Sequence, residues 1–114
     1  METAPRKPYQ LYKIAPETRQ WLEEAVLKVV LDTYAHYNNH KTEFTKEPAL
    51  SVTMVMEMLP AAPKDYLYHA KKIQRTLVWS ALEKCRKQGK LGSSIGIGLN
   101  GREARNYEPP NTGN

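Results

Sequence analysis

At 114 residues, 40% hydrophobic and 25% charged, the chain has the composition of one globular domain with a modest core, which excludes a disordered polymer. No apolar run approaches the roughly 20 residues that would span a bilayer. Cys85 is the sole cysteine, so an internal disulfide is excluded and a reducing, intracellular location (cytoplasm or nucleus) is expected.

The distribution of charge says more than its sum. Residues 1–63 hold 7 Lys/Arg against 8 Asp/Glu, whereas residues 64–114 hold 10 against 4, so the C-terminal half carries the whole formal excess of +5. Such asymmetry suits an anionic partner that docks on one surface. The opening Met1-Glu2-Thr3-Ala4-Pro5-Arg6-Lys7-Pro8 lacks the apolar core of a signal peptide.

Residues 1–15 read as a flexible basic arm, with Arg6, Lys7 and Lys13 set among Tyr9 and Tyr12. Arg6 and Lys7 suit either a minor-groove contact or a simple leader. Pro16 fits the first turn of a helix, where its missing N–H costs nothing. From there to about Tyr37, Leu22, Val26, Val29, Val30 and Thr33 recur at helical spacing, and Trp21, Ala25 and Leu31 widen the stripe. Asn38-Asn39-His40 breaks the pattern.

Between Thr42 and Leu59 two periodicities compete. Thr45 can cap a helix entered near Pro48, with Leu50, Met54, Val55 and Met58 facing inward. Leu50, Val52, Met54, Met56 and Met58 also alternate as a strand would. The methionines favour the helix. Pro60-Ala61-Ala62-Pro63 then forms a stiff connector.

A third helix is expected from about Asp65, a good cap residue, to Gln88. Leu67, Ala70, Ile73, Leu77, Val78, Ala81 and Cys85 share one side. Tyr68, Lys72, Arg75, Thr76, Trp79, Glu83 and Arg86 share the other. Gly89 can take the left-handed conformation that closes a helix. Asn100-Gly101 is a strong hairpin turn signal, so two short strands are expected around it, the second ended by Pro109-Pro110. Residues 16–110 make up the domain, and residues 111–114 read as a disordered tail.

Three helices followed by a hairpin, mainly α with a small β-hairpin, resemble the winged helix-turn-helix superfamily. The segments that carry the resemblance are Thr76 to Ser94 (TLVWSALEKCRKQGKLGSS) and Gly101 to Pro109 (GREARNYEP). They hold the Leu82 and Cys85 spacing of its third helix, the Gly89-Lys90-Leu91 exit, and a second wing strand with Arg102, Arg105 and Tyr107. The match runs from about Pro16 to Glu108, and the longer third helix departs from the family pattern. The resemblance implies a DNA-binding protein, a transcriptional regulator, with its third helix in the major groove and its basic wing on the backbone.

On that reading Lys71, Lys72, Arg75 and Thr76 face base edges or phosphates, and Arg86, Lys87, Lys90, Arg102 and Arg105 contact phosphates. Gln74 falls toward the apolar side and ranks below them. Trp79 stands on the polar arc and is expected to pack under the wing or against another helix. The principal partner is double-stranded DNA, and RNA on the same face is a further reading. A protein-interaction module inside a larger, nucleic-acid-processing complex is the alternative, with a homodimer or protein partner docking through Trp79 or the Met54-Met58 segment.

Three patterns resemble chemistry without supplying it. Gly96-Ile97-Gly98-Leu99-Asn100-Gly101 matches the dinucleotide-binding spelling, but no helix can follow before the chain reaches its prolines. His36 and His40 lie four apart without the further ligands a structural zinc wants. Cys85 falls on the apolar face as a small core residue. No cofactor, metal or catalytic arrangement is expected, so the chain reads as a binding protein.

Overall fold

Pro16 opens α1 (Pro16–Asn39) in a computed structural model that describes residues 14–40, 42, 48–97 and 101–110. Thr45, Asn100, the tail and all but the end of the N-terminal arm lie outside the described residues. Leu22, Ala25, Val26 and Val30 form the buried stripe of α1, flanked by the partly buried Trp21, Leu27, Val29 and Tyr34. Leu31, expected to widen that stripe, stays exposed.

The ambiguous segment uses both of its patterns in turn. Leu50 forms an isolated antiparallel bridge with Tyr107, and α2 (Val52–Glu57) follows at once, with Ser51 as its N-cap accepting from the Met54 N–H. Because the helix starts only at Val52, its phase buries Val52 and Val55 and turns Met54 and Met58 outward, 44% and 45% exposed. The expected inward series of Leu50, Met54, Val55 and Met58 therefore holds at Leu50 and Val55 alone.

The single third helix divides into α3 (Lys64–Leu67) and α4 (Lys71–Lys87). No proline or glycine marks the break. Gln74 is buried and folds back, donating through Nε2 to the carbonyls of His69 at 2.8 Å and Leu67 at 3.5 Å. Those carbonyls lose helical partners at the break, so a buried amide serves as their donor. Leu67 and Ala70, placed on the apolar face by spacing, are consequently exposed.

Asp65 caps no helix of its own. The residue before α3 is Pro63, and the Asp65 carboxylate instead accepts from the Ala15 N–H at 2.8 Å and the Thr18 hydroxyl at 2.7 Å. Ala15 offers α1 no side-chain cap, so an acid from another element supplies it and complements the helix dipole.

Leu77, Val78, Ala81, Leu82 and Cys85 of α4 pack against α1 and α2, and Leu91 and Tyr107 complete the same core. The end of α4 is a Schellman closure. Lys90 N–H bonds Cys85 O at 2.9 Å, Gly89 N–H bonds Arg86 O at 3.0 Å, and Gly89 takes a φ of +79°.

Strands β1 (Gly92–Ile97) and β2 (Glu103–Glu108) pair antiparallel, from Gly92 opposite Glu108 to Ile97 opposite Glu103. The last pair among the described residues is Ile97 with Glu103, and Asn100 of the expected Asn-Gly turn lies outside them. Gly101 keeps the positive φ, at +80°. The domain is thus mainly helical with one two-stranded hairpin. Among the described residues no helix is long and apolar enough to cross a membrane.

A Cβ at Gly89 would meet nothing within 4 Å, so the cost of a side chain there is the backbone conformation alone. Gly89→Ala is expected to lower unfolding free energy in urea by about 1–2 kcal/mol, and Gly89→Asn by less.

Candidate nucleic-acid interface

Along the first three turns of α4 the exposed positions are Lys71, Lys72, Arg75, Thr76, Trp79 and Ser80. Residues 72, 76, 79 and 83 rise along one side at helical spacing. From Lys71 to Leu82 the helix contains no acid, and Lys71, Lys72 and Arg75 form no ion pair among the described residues. Ala70 provides no side-chain cap, so the free N–H groups and dipole of the first turn add to the positive potential.

Arg75 is oriented by a neighbouring element. Its Nε donates to the Thr53 hydroxyl of α2 at 3.0 Å, and the guanidinium stays exposed. Thr76 is partly occupied by its own helix, its hydroxyl donating to Lys72 O at 3.2 Å. Trp79 is only half covered, 50% exposed, and lines a groove with Leu22 of α1 and another with Val52 of α2.

Farther along the same stripe the surface closes over. Glu83, placed on the polar arc by the wheel, is only 9% exposed because β2 covers it. The Tyr107 hydroxyl donates to its Oε2 at 2.5 Å, Arg86 donates from Nε and Nη2 to Oε1 at 3.1 and 2.7 Å, and Arg105 Nε lies 3.6 Å from Oε2. Hydrogen bonding from Arg86, then from Tyr107, with the charge of both arginines, holds the Glu83 carboxyl below its ordinary range against the opposing effect of burial. Burial, followed by the bond to Glu83, pushes the Tyr107 phenol upward. One ionised acid therefore fastens the hairpin beside the basic turns of α4.

The nine sequence-derived candidates do not form one cluster. Lys71, Lys72, Arg75 and Thr76 share the open N-terminal half of α4. Arg86 and Arg105 converge on Glu83, and Arg105 also donates to the Ser93 hydroxyl at 2.8 Å. Arg102 is exposed where the chain enters β2. Lys87 and Lys90 lie at the opposite end of α4, which at 17 residues is about 25 Å long. Lys90 lines a groove with Arg19, Glu23 and Lys84 of the α1–α4 junction, well away from Lys72.

Reading the sequence alone missed Thr53, because nothing in its spacing reveals that it meets Arg75. It also missed the exposed Ile95 and Ile97, which alternation along β1 would have placed on one face opposite Arg105 and Glu103.

The ring centroids of His36 and His40 lie 4.3 Å apart with the planes tilted by 33°, and no group of three possible ligands for a metal occurs among the described residues. Cys85 is buried with its Sγ 3.7 Å from Glu23 O, and burial raises its pKa, keeping the thiol protonated. Among the described residues no helix follows Gly101.

Tyr107→Phe removes a hydrogen bond to a buried carboxylate and is expected to cost about 1.5–3 kcal/mol in urea unfolding. Tyr66→Phe is the contrast: the buried Tyr66 hydroxyl has no hydrogen-bond partner among the described residues, so its loss should leave stability unchanged or raised. The lowered pKa of Glu83 also sets a pH dependence. A carboxyl more acidic in the folded chain stabilises the fold above its unfolded value and loses that contribution as pH falls through the folded one. The urea midpoint should therefore hold down to the ordinary glutamate value of 4.5 and fall below it, less steeply in Glu83→Gln. Asp65, lowered by its bonds to Ala15 and Thr18, retains part of that fall in the variant.

No protein-family model matches the chain, and no curated protein matches it, so the reading of this surface rests on its residues.

Proposed function

We propose that this chain is a DNA-binding protein of winged helix-turn-helix type, a transcriptional regulator that lays α4 in the major groove and its hairpin against the adjoining backbone. The observation that carries this reading is the basic first three turns of α4, free of acid from Lys71 to Leu82 and held beside a hairpin anchored at Glu83. Lys71 and Lys72 reach phosphates, Arg75 and Thr76 reach base edges, and Arg102 reaches the backbone from the hairpin. Arg105 and Arg86 position the hairpin through Glu83. They contribute less to phosphate binding than their charge suggests. Hydrolytic or redox chemistry has no place in this reading.

A second reading draws on the outward turn of Met54 and Met58. With the half-exposed Trp79 they offer flexible apolar area to a protein partner, as in an interaction module of a larger complex.

Titration of a mixed-sequence duplex at two salt concentrations separates the readings. With about three phosphate contacts, log K should fall against log salt with a slope of about −3. Lys72→Ala should reduce the slope by about one, and the triple alanine variant at Lys72, Arg75 and Arg102 should abolish binding while remaining folded by circular dichroism. Absence of binding at low salt would sink the DNA reading and favour the protein-interaction surface.

A further inference from the structure

Between the start of α2 and the middle of α4 lies an open pocket of about 290 Å³, lined by Val52, Arg75, Thr76 and Trp79. We infer that this pocket makes the protein selective for a guanine with a neighbouring thymine in the major groove, Arg75 reading the guanine and the Val52–Trp79 wall receiving the thymine methyl. The inference rests on the DNA-binding reading and names the bases that the same face prefers.

Arg75 has the geometry for the first half of that task. The Thr53 hydroxyl occupies Nε at 3.0 Å and fixes the direction of the guanidinium plane. No other hydrogen bond or ion pair engages the guanidinium among the described residues, which leaves Nη1 and Nη2 as a fork. Such a fork matches the O6 and N7 acceptors that guanine presents in the major groove. A lysine would supply equal charge but no plane, and a fork held in advance loses less freedom on binding.

The apolar half of the pocket explains a side chain that stability alone does not. Trp79 stands one helical turn beyond Arg75, half exposed on an otherwise polar stripe. Val52 of α2 and Thr76 of α4 line the same pocket. In a major groove the 5-methyl of thymine is the apolar feature that such a wall can recognise. The cations at Lys71 and Lys72 supply the charge complementarity that brings a duplex to this pocket and not an apolar peptide.

The test uses a duplex of alternating thymine and guanine against cytosine and adenine, about 20 base pairs or two helical turns long. Every guanine in it has thymine on both sides. Replacing thymine by uracil removes only the methyl groups and should weaken binding about fourfold. Replacing guanine by 7-deazaguanine removes N7 and should weaken it about tenfold. In Trp79→Ala the thymine-to-uracil difference should vanish. In Arg75→Ala the 7-deazaguanine effect should vanish, and Arg75→Lys and Thr53→Val should each diminish it while binding to a mixed-sequence duplex persists. Equal affinity of the unaltered protein for all three duplexes, with salt-sensitive binding intact, overturns the base preference and leaves DNA binding standing. Failure to bind any duplex at low salt overturns both.

Discussion

Tyr107 is the residue on which the arrangement of this domain turns. It is fully buried, its backbone N–H bonds Leu50 O at 2.9 Å, and its hydroxyl bonds Glu83. One residue thus joins the hairpin to the segment that enters α2 and to the side of α4. The hydroxyl brings a polar group into the core, a cost that only a firmly held acceptor offsets. Glu83 is such an acceptor because Arg86 and Arg105 keep it ionised at low exposure. A carboxylate without those arginines would be expensive to bury there. The hairpin can therefore seat in few positions, which sets it at the far end of the exposed turns of α4.

The same economy shapes the surface. The C-terminal half holds few acids, and three of them are engaged within the fold: Asp65 at the start of α1, Glu83 under the hairpin, and Glu108 with the Ser94 hydroxyl. Lys71, Lys72 and Arg75 are left facing solvent without acidic neighbours on their helix. The positive field of this half is consequently stronger at the start of α4 than composition alone conveys. Thr53 adds direction to that field by holding one arginine in a chosen plane.

Helical spacing alone located much of this. The stripe of α1, the core side of α4 from Leu77 to Cys85, the closure at Gly89 and the two strands before Pro109 all follow from local rules of periodicity, capping and turn chemistry. The inward lean of Gln74 was legible as well. What spacing could not reveal is its reason, the carbonyls of Leu67 and His69 at a break that no local residue announces. Nor could a helical wheel separate the two halves of one polar arc. Lys72 and Glu83 stand on the same side of α4, yet one meets solvent and the other meets Tyr107.

The sequence by itself determined the element types, the asymmetry of charge and most of the buried stripe, because these depend on neighbours a few positions apart. The tertiary structure alone decided where α3 ends and α4 begins, which methionines face outward, and that Asp65 caps a helix some 50 residues away. It also decided that Trp79 stays half exposed and that Arg75 is held by Thr53. Each of these depends on which distant surface arrives to cover a side chain or to accept its proton. Burial and long-range hydrogen bonding are properties of the assembled chain, and no local periodicity encodes them.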